Sequence, residues 1–484
     1  MWYSFGMTYF FETYGCQMNL AESAAAEQKL IDRGWARADS EQTADLVVIN
    51  TCSVRATAES RVFGRLGYYA GLKAVRAGKA GAKSKSLEEA ARFVKDGARP
   101  IKVAVMGCMA ERLSRSLKRD YPVVDYVIGT FAKNHLDDMI SEIENELGGG
   151  GGEAFCDSGI VKEDAFYAFA AISSEAGAFS TFVPIMNGCD NFCSYCIVPF
   201  VRGRETSRAL DEVIGEVDEL SRRGVKEITL LGQNVNSYRG LRSKSEDSEG
   251  VVLFPELLRA IAFHLKEIGS SIEWVRFDSS HPKDFSDELI DVIGETDVVC
   301  KSVHLALQHG SDKILRAMNR HYTQADFLAL VEKLRKKIPN VSLSTDVMVG
   351  FPGESEADFE ELFDLMSRIR FKNAFMYYFN PREGTAAARM KDQIPLAEKK
   401  ARLQRIIDLQ LKITQEELTA RLGATEKVLA EKLSKDNAEE ILARTDKDER
   451  VALKGSADMI GSFALARFDS LSGNTFKGTI IARL

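Results

Sequence analysis

The sequence predicts an α/β protein in three parts: a doubly wound N-terminal domain, a partial (β/α)6 barrel and a small C-terminal β-barrel. Three observations carry this expectation. Apolar strand-like runs alternate with amphipathic helical patterns, which is the signature of parallel sheets covered by helices. The alternation occurs twice, separated by five consecutive glycines at residues 148–152 that read as a flexible linker. From Thr425 onward the pattern changes to short alternating runs broken by Gly455, Gly461, Gly473 and Gly478, which suits a small all-β barrel.

The first domain is assigned to residues 1–147, where apolar runs at 8–15, 46–51 and 103–107 read as buried strands and each ends at a cysteine: Cys16, Cys52 and Cys108. Helical patterns follow at 21–33, 56–69 and 110–119. In an open parallel sheet, ligands bind beyond the carboxyl ends of the strands. The three cysteines are therefore expected to converge on one sheet edge, where such a trio suits a cluster with one iron left free; three separate buried thiols are the alternative reading. A stretch rich in Lys, Ala and Gly at 72–99 reads as an insertion, and residues 148–180 as a linker in which Cys156 is not a ligand.

The second domain, residues 181–395, offers six strand-like runs at 183–186, 227–231, 274–278, 302–307, 342–349 and 374–379. Helical patterns at 211–223, 254–268, 323–338 and 356–369 would cover them on the outside, and a barrel of six units left open at one side admits a bulky substrate laterally. A charged amphipathic pattern at 397–421, within a connector spanning 396–424, leads to the last barrel at 425–484.

Composition limits the class. The chain of 484 residues is 45% hydrophobic, enough for several cores, and its eight cysteines are too few for a disulfide scaffold of this size. The opening Met1-Trp2-Tyr3-Ser4-Phe5-Gly6-Met7 carries no basic segment or cleavage site, and no apolar run approaches a membrane span, so a reducing cytoplasm is the expected location. A net charge of −7 disfavours a dedicated nucleic-acid-binding domain but leaves room for a local basic patch. Arg202, Arg204 and Arg208 form one candidate, facing either a phosphate backbone or an anionic cofactor, with a solvated loop as the alternative.

The densest chemical signal is Gly188-Cys189-Asp190-Asn191-Phe192-Cys193-Ser194-Tyr195-Cys196. Its Cys-x3-Cys-x2-Cys spacing differs from four-cysteine ferredoxin runs and from the paired Cys-x2-Cys units of zinc ribbons. It supplies three thiolates to a four-iron cluster and leaves one iron open for a small molecule; a structural metal site is the competing reading. The preceding Val183-Pro184-Ile185-Met186 places this loop at the carboxyl end of the first barrel strand, where barrels keep their chemistry.

The cysteine loop resembles the signature of the radical S-adenosylmethionine (SAM) enzymes, in which Tyr195 is the aromatic usually present before the last cysteine. Together with Gly15-Cys16-Gln17-Met18-Asn19, Asn50-Thr51-Cys52-Ser53-Val54-Arg55 and Met106-Gly107-Cys108-Met109-Ala110-Glu111-Arg112, it resembles the methylthiotransferase family over nearly the whole chain. That resemblance implies two 4Fe-4S clusters, one on Cys189, Cys193 and Cys196 and an auxiliary one on Cys16, Cys52 and Cys108. It also implies SAM contacts from Tyr195, Gln233, Gln308, Gly350, Gly353 and Glu354, RNA contacts from Arg202 and Arg204, and a last barrel of the RNA-binding TRAM type. The implied reaction transfers a methylthio group to carbon 2 of N6-isopentenyladenosine at position 37 of tRNA, using two SAM molecules. Threonylcarbamoyl-adenosine or a ribosomal-protein aspartate are the alternative targets. The implied partners are the tRNA anticodon loop and a low-potential electron donor, with no membrane, and a monomer is expected. Two departures stand out: His309 in Gln308-His309-Gly310-Ser311 where the family usually has serine, and Phe379-Asn380 where it usually has Tyr-Ser. His309 is expected to be structural rather than a metal ligand.

Overall fold

The computed structural model describes residues 6–53, 56–79, 87–95, 99–131, 135–147, 178–243 and 250–484. The expected linker and Cys156 lie outside the described residues up to residue 177. The chain divides into two compact units, Met1–Ser173 with Ile197–Arg204, and Ser174–Cys196 with Glu205–Leu484. Two boundaries thus differ from the expected ones. The eight residues after the Cys189–Cys196 loop belong with the N-terminal domain, and the C-terminal barrel is one unit with the partial barrel.

The first unit is a parallel sheet of β1 (Thr8–Tyr14), β2 (Ala36–Arg37), β3 (Leu46–Thr51), β4 (Lys102–Met106) and β5 (Tyr126–Ile128) in the order β2-β1-β3-β4-β5. Alternate residues of β3 and β4 feed two cores. Val47, Ile49, Val103 and Val105 meet Val62, Leu66 and Tyr69 of the helix Ala56–Arg76 on one face. Leu46, Val48, Ala104 and Met106 meet Leu30, Met139 and Ile140 on the other. Burial on both faces explains why these strands read as unbroken apolar runs. The order reverses between β1 and β3, which places the ligand crevice at their carboxyl ends. The expected insertion at 72–99 is largely helical where described: the second helix runs on to Arg76 and another spans Glu88–Lys95, because Leu72, Val75, Leu87 and Ala90 join the core. The expected helix at 110–119 is instead split into Cys108–Arg112 and Leu117–Asp120.

In the second unit β6 (Ser180–Pro184) is followed by a short ribbon, β7 (Met186–Asn187) with β8 (Thr206–Ser207). Next come β9 (Glu227–Leu231), the hairpin β10 (Arg239–Leu241) and β11 (Val251–Leu253), β12 (Trp274–Phe277), β13 (Ser302–His304), β14 (Ser342–Val349) and β15 (Asn373–Tyr378). Strands β6, β9 and β12 pair in parallel, as do β13, β14 and β15. Isolated bridges Val275–Val299 and Ser280–Leu305 join the two halves into a six-stranded partial barrel, and no pairing joins β6 to β15 among the described residues. The helices Leu210–Arg222, Phe254–Glu267, Asp287–Glu295, Gln324–Lys337 and Glu356–Ile369 bury their apolar faces against its outside in one core.

The helix Leu396–Thr419 is more than a connector. Arg402 donates to Glu354 Oε1 at 2.9 Å, Gln410 to the Phe371 carbonyl at 2.7 Å and Lys399 to the Phe379 carbonyl at 3.0 Å. It leads into a closed barrel of β16 (Thr425–Leu433), β17 (Glu440–Thr445), β18 (Arg450–Lys454), β19 (Phe463–Ser472) and β20 (Thr475–Arg483), with Phe468 and Phe476 stacked 4.2 Å apart inside. Its junction with the partial barrel is charged, with a buried carboxylate at its centre. Fully buried Glu227 on β9 accepts from Arg276 at 2.6 Å and from Arg444 at 2.6 Å. Arg276 also donates to the carbonyls of Thr445 and Asp446 at 2.7 and 2.8 Å, and Trp274 meets Phe463 edge-on at 5.0 Å beside buried Cys300 and Leu429.

Candidate functional site

In the first unit the three cysteines stand at the tips of three strands, as β-strand carboxyl ends in this topology require. Cys16 follows β1 and caps the helix Gln17–Asp32, Cys52 follows β3, and Cys108 opens the helix after β4. The tips are held in register by a buried polar network. Asn19 donates to Asn50 Oδ1 at 3.0 Å, Asn50 donates back to the Asn19 carbonyl at 2.9 Å and to Ser23 at 3.1 Å, and Cys16 Sγ donates to Asn19 Oδ1 at 3.3 Å. The Cys52 N–H donates to the Tyr14 carbonyl, 3.0 Å away, which ties the second cysteine to the end of β1. Two glycines leave room for this packing: a Cβ on Gly15 would stand 2.2 Å from Asn19 Oδ1, and one on Gly107 would stand 2.4 Å from Asn50 Oδ1.

The electrostatics favour thiolate at Cys16 and oppose it at Cys108. A hydrogen bond from Cys52 and the charge of Arg202 bring the Cys16 thiol down to about 6 against the opposing effect of burial. Burial pushes the Cys108 thiol up, offset in part by Arg202, whose Nε donates to Cys108 Sγ at 3.1 Å. Arg202 was expected to face RNA. Instead it is 4% exposed and its two Nη atoms grip Glu22 at 2.8 and 3.2 Å, while Ile197 and Val201 pack on Cys108. Arg204, in the same segment, is exposed.

In the second unit the loop Cys189–Cys196 is pinned by a segment that sequence reasoning missed. Ser194 donates through its N–H to the Met318 carbonyl at 3.0 Å and through its hydroxyl to the Ala317 carbonyl at 2.8 Å. Asn319 donates to the carbonyls of Asn191 and Phe192 at 3.2 and 3.1 Å. Arg320, 4% exposed, donates to Cys193 Sγ at 3.4 Å and to the Ala306 carbonyl at 2.7 Å. In the structure this segment follows the helix Asp312–Ala317, and Asn319 and His321 take left-handed backbone that suits a turn. Tyr195 packs with Ile314, Met318, Phe351, Phe379 and Ala387, so Phe379 serves as apolar packing.

The barrel's carboxyl ends add unsatisfied polar atoms. Asn234 ties the loop after β9 to the loop after β12, accepting from the His281 N–H at 3.2 Å and donating to Asp284 at 2.7 Å. Around it Gln233 Oε1, both amide atoms of Asn236, Ser280 Oγ and His281 Nε2 are buried without a protein partner. Burial, with Arg320 and Lys283 nearby, lowers His281 to about 2, so its imidazole is neutral. Orphaned buried polar groups of this kind mark a place where a polar ligand completes the bonding. Gln308 joins this end with left-handed backbone, held by Gln308 N–H to the Asp346 carbonyl and Met348 N–H to its own carbonyl, both 2.8 Å.

Three of the expected SAM contacts have protein partners of their own. The Glu354 carboxylate is buried and already accepts from the Phe351 N–H at 3.0 Å and from Arg402 at 2.9 Å. Gly350 lies under Lys399, whose Cγ would be 2.4 Å from an added Cβ. Gly353 donates to the Asp392 carbonyl at 2.9 Å. His309 is fully buried, accepting the Ser311 N–H at 3.0 Å, with Nε2 3.4 Å from Glu354. Arg208 is buried too, donating to the Pro184 carbonyl at 2.9 Å and paired with Glu216, so it does not offer its charge to a phosphate.

Both thiol sets fit four-iron clusters. Among the described residues no three Cys, His, Asp or Glu side chains converge on a single ion. A cubane does not ask for that, since each of its thiolates binds a different iron. Six cysteines outside any disulfide, in two groups of three, each group with an arginine N–H directed at a sulfur, match that requirement.

Comparison with known proteins agrees. Residues 183–366 match the Radical SAM superfamily, and residues 8–129 match the uncharacterized protein family UPF0004. The tRNA-2-methylthio-N(6)-dimethylallyladenosine synthase of Treponema pallidum is 47% identical over 98% of this chain and 99% of its own. The enzymes of the same name from Treponema denticola and Clostridium botulinum are 46% and 37% identical, covering 98% and 97% of this chain and 100% and 96% of theirs. In fold, the chain is similar to the radical S-adenosylmethionine methyltransferase TsrM of Kitasatospora setae, with a TM-score of 0.54 at 15% identity over 79% of this chain and 77% of that one. The chain belongs to the tRNA-2-methylthio-N(6)-dimethylallyladenosine synthases, within the radical SAM superfamily.

Proposed function

We propose that this chain transfers a methylthio group to carbon 2 of N6-isopentenyladenosine at position 37 of tRNA. The observation that carries the reading is the pairing of two three-cysteine sites, each built at strand carboxyl ends, in a chain 47% identical to enzymes named for that product. When bound, the two clusters and SAM supply the electron, the deoxyadenosyl radical and the sulfur that this chemistry needs, since carbon 2 of adenine offers no acidic proton to a general base.

The protein's own residues hold and orient. Cys189, Cys193 and Cys196 carry one cluster, and Arg320 and Asn319 fix the geometry of their loop. Gln233, Asn236, Ser280 and His281 line the end of the barrel with unpaired polar atoms suited to SAM, and Tyr195 and Gln308 shape the same end. Cys16, Cys52 and Cys108 hold the auxiliary cluster. Exposed Arg204 and the C-terminal barrel are assigned to the anticodon loop. A low-potential electron donor serves a cytoplasmic, monomeric enzyme; among the described residues no helix is long and apolar enough to cross a membrane.

The test is mass analysis of tRNA nucleosides after incubation with SAM and reductant. The methylthio derivative of isopentenyladenosine is the expected product; its absence, with threonylcarbamoyl-adenosine modified instead, would overturn the target assignment.

A further inference from the structure

We infer that Arg202 and Glu22 form a charge pair that sets the reduction potential of the auxiliary cluster held by Cys16, Cys52 and Cys108. The inference rests on that cluster assignment and adds the residues that tune it. Arg202 Nε donates to Cys108 Sγ at 3.1 Å, while its other two nitrogens grip Glu22 at 2.8 and 3.2 Å. Both side chains are almost fully buried, at 3% and 1% exposure. The guanidinium thus stands between sulfur and carboxylate with its donors aimed both ways, an arrangement that the forked geometry of arginine permits and lysine does not.

Two physical effects follow. An N–H donor to a ligand sulfur withdraws electron density from it and, with the cation beside it, favours the reduced cluster, which carries one more negative charge. The carboxylate on the far side of the guanidinium opposes this. Burial makes both effects large, because little water screens them. The Asn19–Asn50–Ser23 network ties the tips of β1 and β3 to each other without help from this pair. The segment Val198–Arg202 instead brings the cation to a sulfur from a helix far away in sequence, 94 residues from Cys108 and 180 from Glu22.

The test is a potentiometric titration followed by electron paramagnetic resonance. It uses the full-length chain carrying Cys189→Ala, Cys193→Ala and Cys196→Ala, so that only the auxiliary cluster gives signal. Arg202→Gln is expected to lower the reduced-to-oxidised ratio at fixed potential about tenfold, equivalent to a fall of about 59 mV for one electron. Glu22→Gln is expected to move it the opposite way, and the isosteric double variant to fall between them. A role in packing alone would not give shifts of opposite sign. Glu22→Gln preserves shape and keeps the test decisive if Arg202→Gln fails to fold. Unchanged potentials, or shifts of one sign in both single variants, would overturn the inference while leaving the cluster assignment intact. Absence of any cluster in the parent chain would overturn both.

Discussion

Replacing Gly107 with alanine tests whether the strand-tip network, rather than the cysteines alone, builds the auxiliary site. Gly107 sits at φ 93°, ψ −163°, a conformation open essentially to glycine, and forcing a side chain there costs about 1–3 kcal/mol. The new Cβ would also stand 2.4 Å from Asn50 Oδ1 and 2.7 Å from the Thr51 carbonyl. The carbonyl belongs to a strand paired on both sides and cannot retreat, so Asn50 must swing away from Asn19. A buried amide then loses its partner, at a further ~1–3 kcal/mol. The sum is about 4 kcal/mol, which for a unit of this size lowers the melting temperature by roughly 8–16 °C. Calorimetry should show that drop in the first unit, and reconstituted protein should retain about four irons instead of about eight, the complement of two four-iron cubanes. Gly353→Ala is the control. Its φ is 78° but nothing lies within 4 Å of an added Cβ, so only backbone strain of about 1–2 kcal/mol applies. A Gly107→Ala protein as stable as the Gly353→Ala one, with a full complement of iron, would refute the reasoning.

Cys193→Ala should abolish 5′-deoxyadenosine formation, whereas Cys52→Ala should keep some SAM cleavage and lose methylthio product; wild-type product yield from Cys52→Ala would remove the auxiliary site from the reaction. Arg204→Ala should weaken tRNA binding and reduce the slope of log affinity against log salt by about one, as expected for one lost phosphate contact, and an unchanged slope would place the RNA elsewhere. His304 bonds Asp346 through Nε2 at 3.1 Å and Ser344 through Nδ1 at 3.0 Å; burial works against its charge, but Asp346 outweighs this and raises its pKa. The raised folded value means that His304 contributes stability below its unfolded pKa of about 6.5, lost as pH climbs through the folded pKa. Urea unfolding across that window should show the decline in the parent and not in Asp346→Asn, and equal slopes would contradict the pairing.

The sheet, the six barrel strands and both cysteine sets were legible because each depends on local pattern. Val47 to Ile49 are apolar on both faces, and each cysteine closes such a run. What was not legible depends on pairs far apart in the chain. Arg202 next to a cluster loop reads as a basic surface, and its burial becomes visible only when Glu22, 180 residues earlier, is brought beside it. Arg320 reaches Cys193 across 127 residues, with nothing in its neighbours to announce a role. Glu354 sits in a motif that resembles a cofactor loop, but Arg402, from a helix that reads as a connector, claims its carboxylate. The helix continuing to Arg76 and the one at Glu88–Lys95 escaped notice because glycines weakened the pattern while core contacts at Leu72, Val75 and Leu87 outweighed propensity.

The salt-bridged joint between the two barrels changes what a deletion experiment can report. Cutting the chain at Thr425 would leave Glu227 without Arg444, strip two carbonyl acceptors from Arg276 and open Trp274 and Cys300 to water. Glu227 would keep Arg276, so the cost comes from the lost second cation and carbonyl acceptors together with the exposed apolar contacts. The C-terminal barrel therefore acts as a keystone of the catalytic unit and not as an appendage. Loss of SAM cleavage on truncation would measure collapse of the barrel floor, so RNA recognition is better dissected by single substitutions on the outer surface of the last five strands.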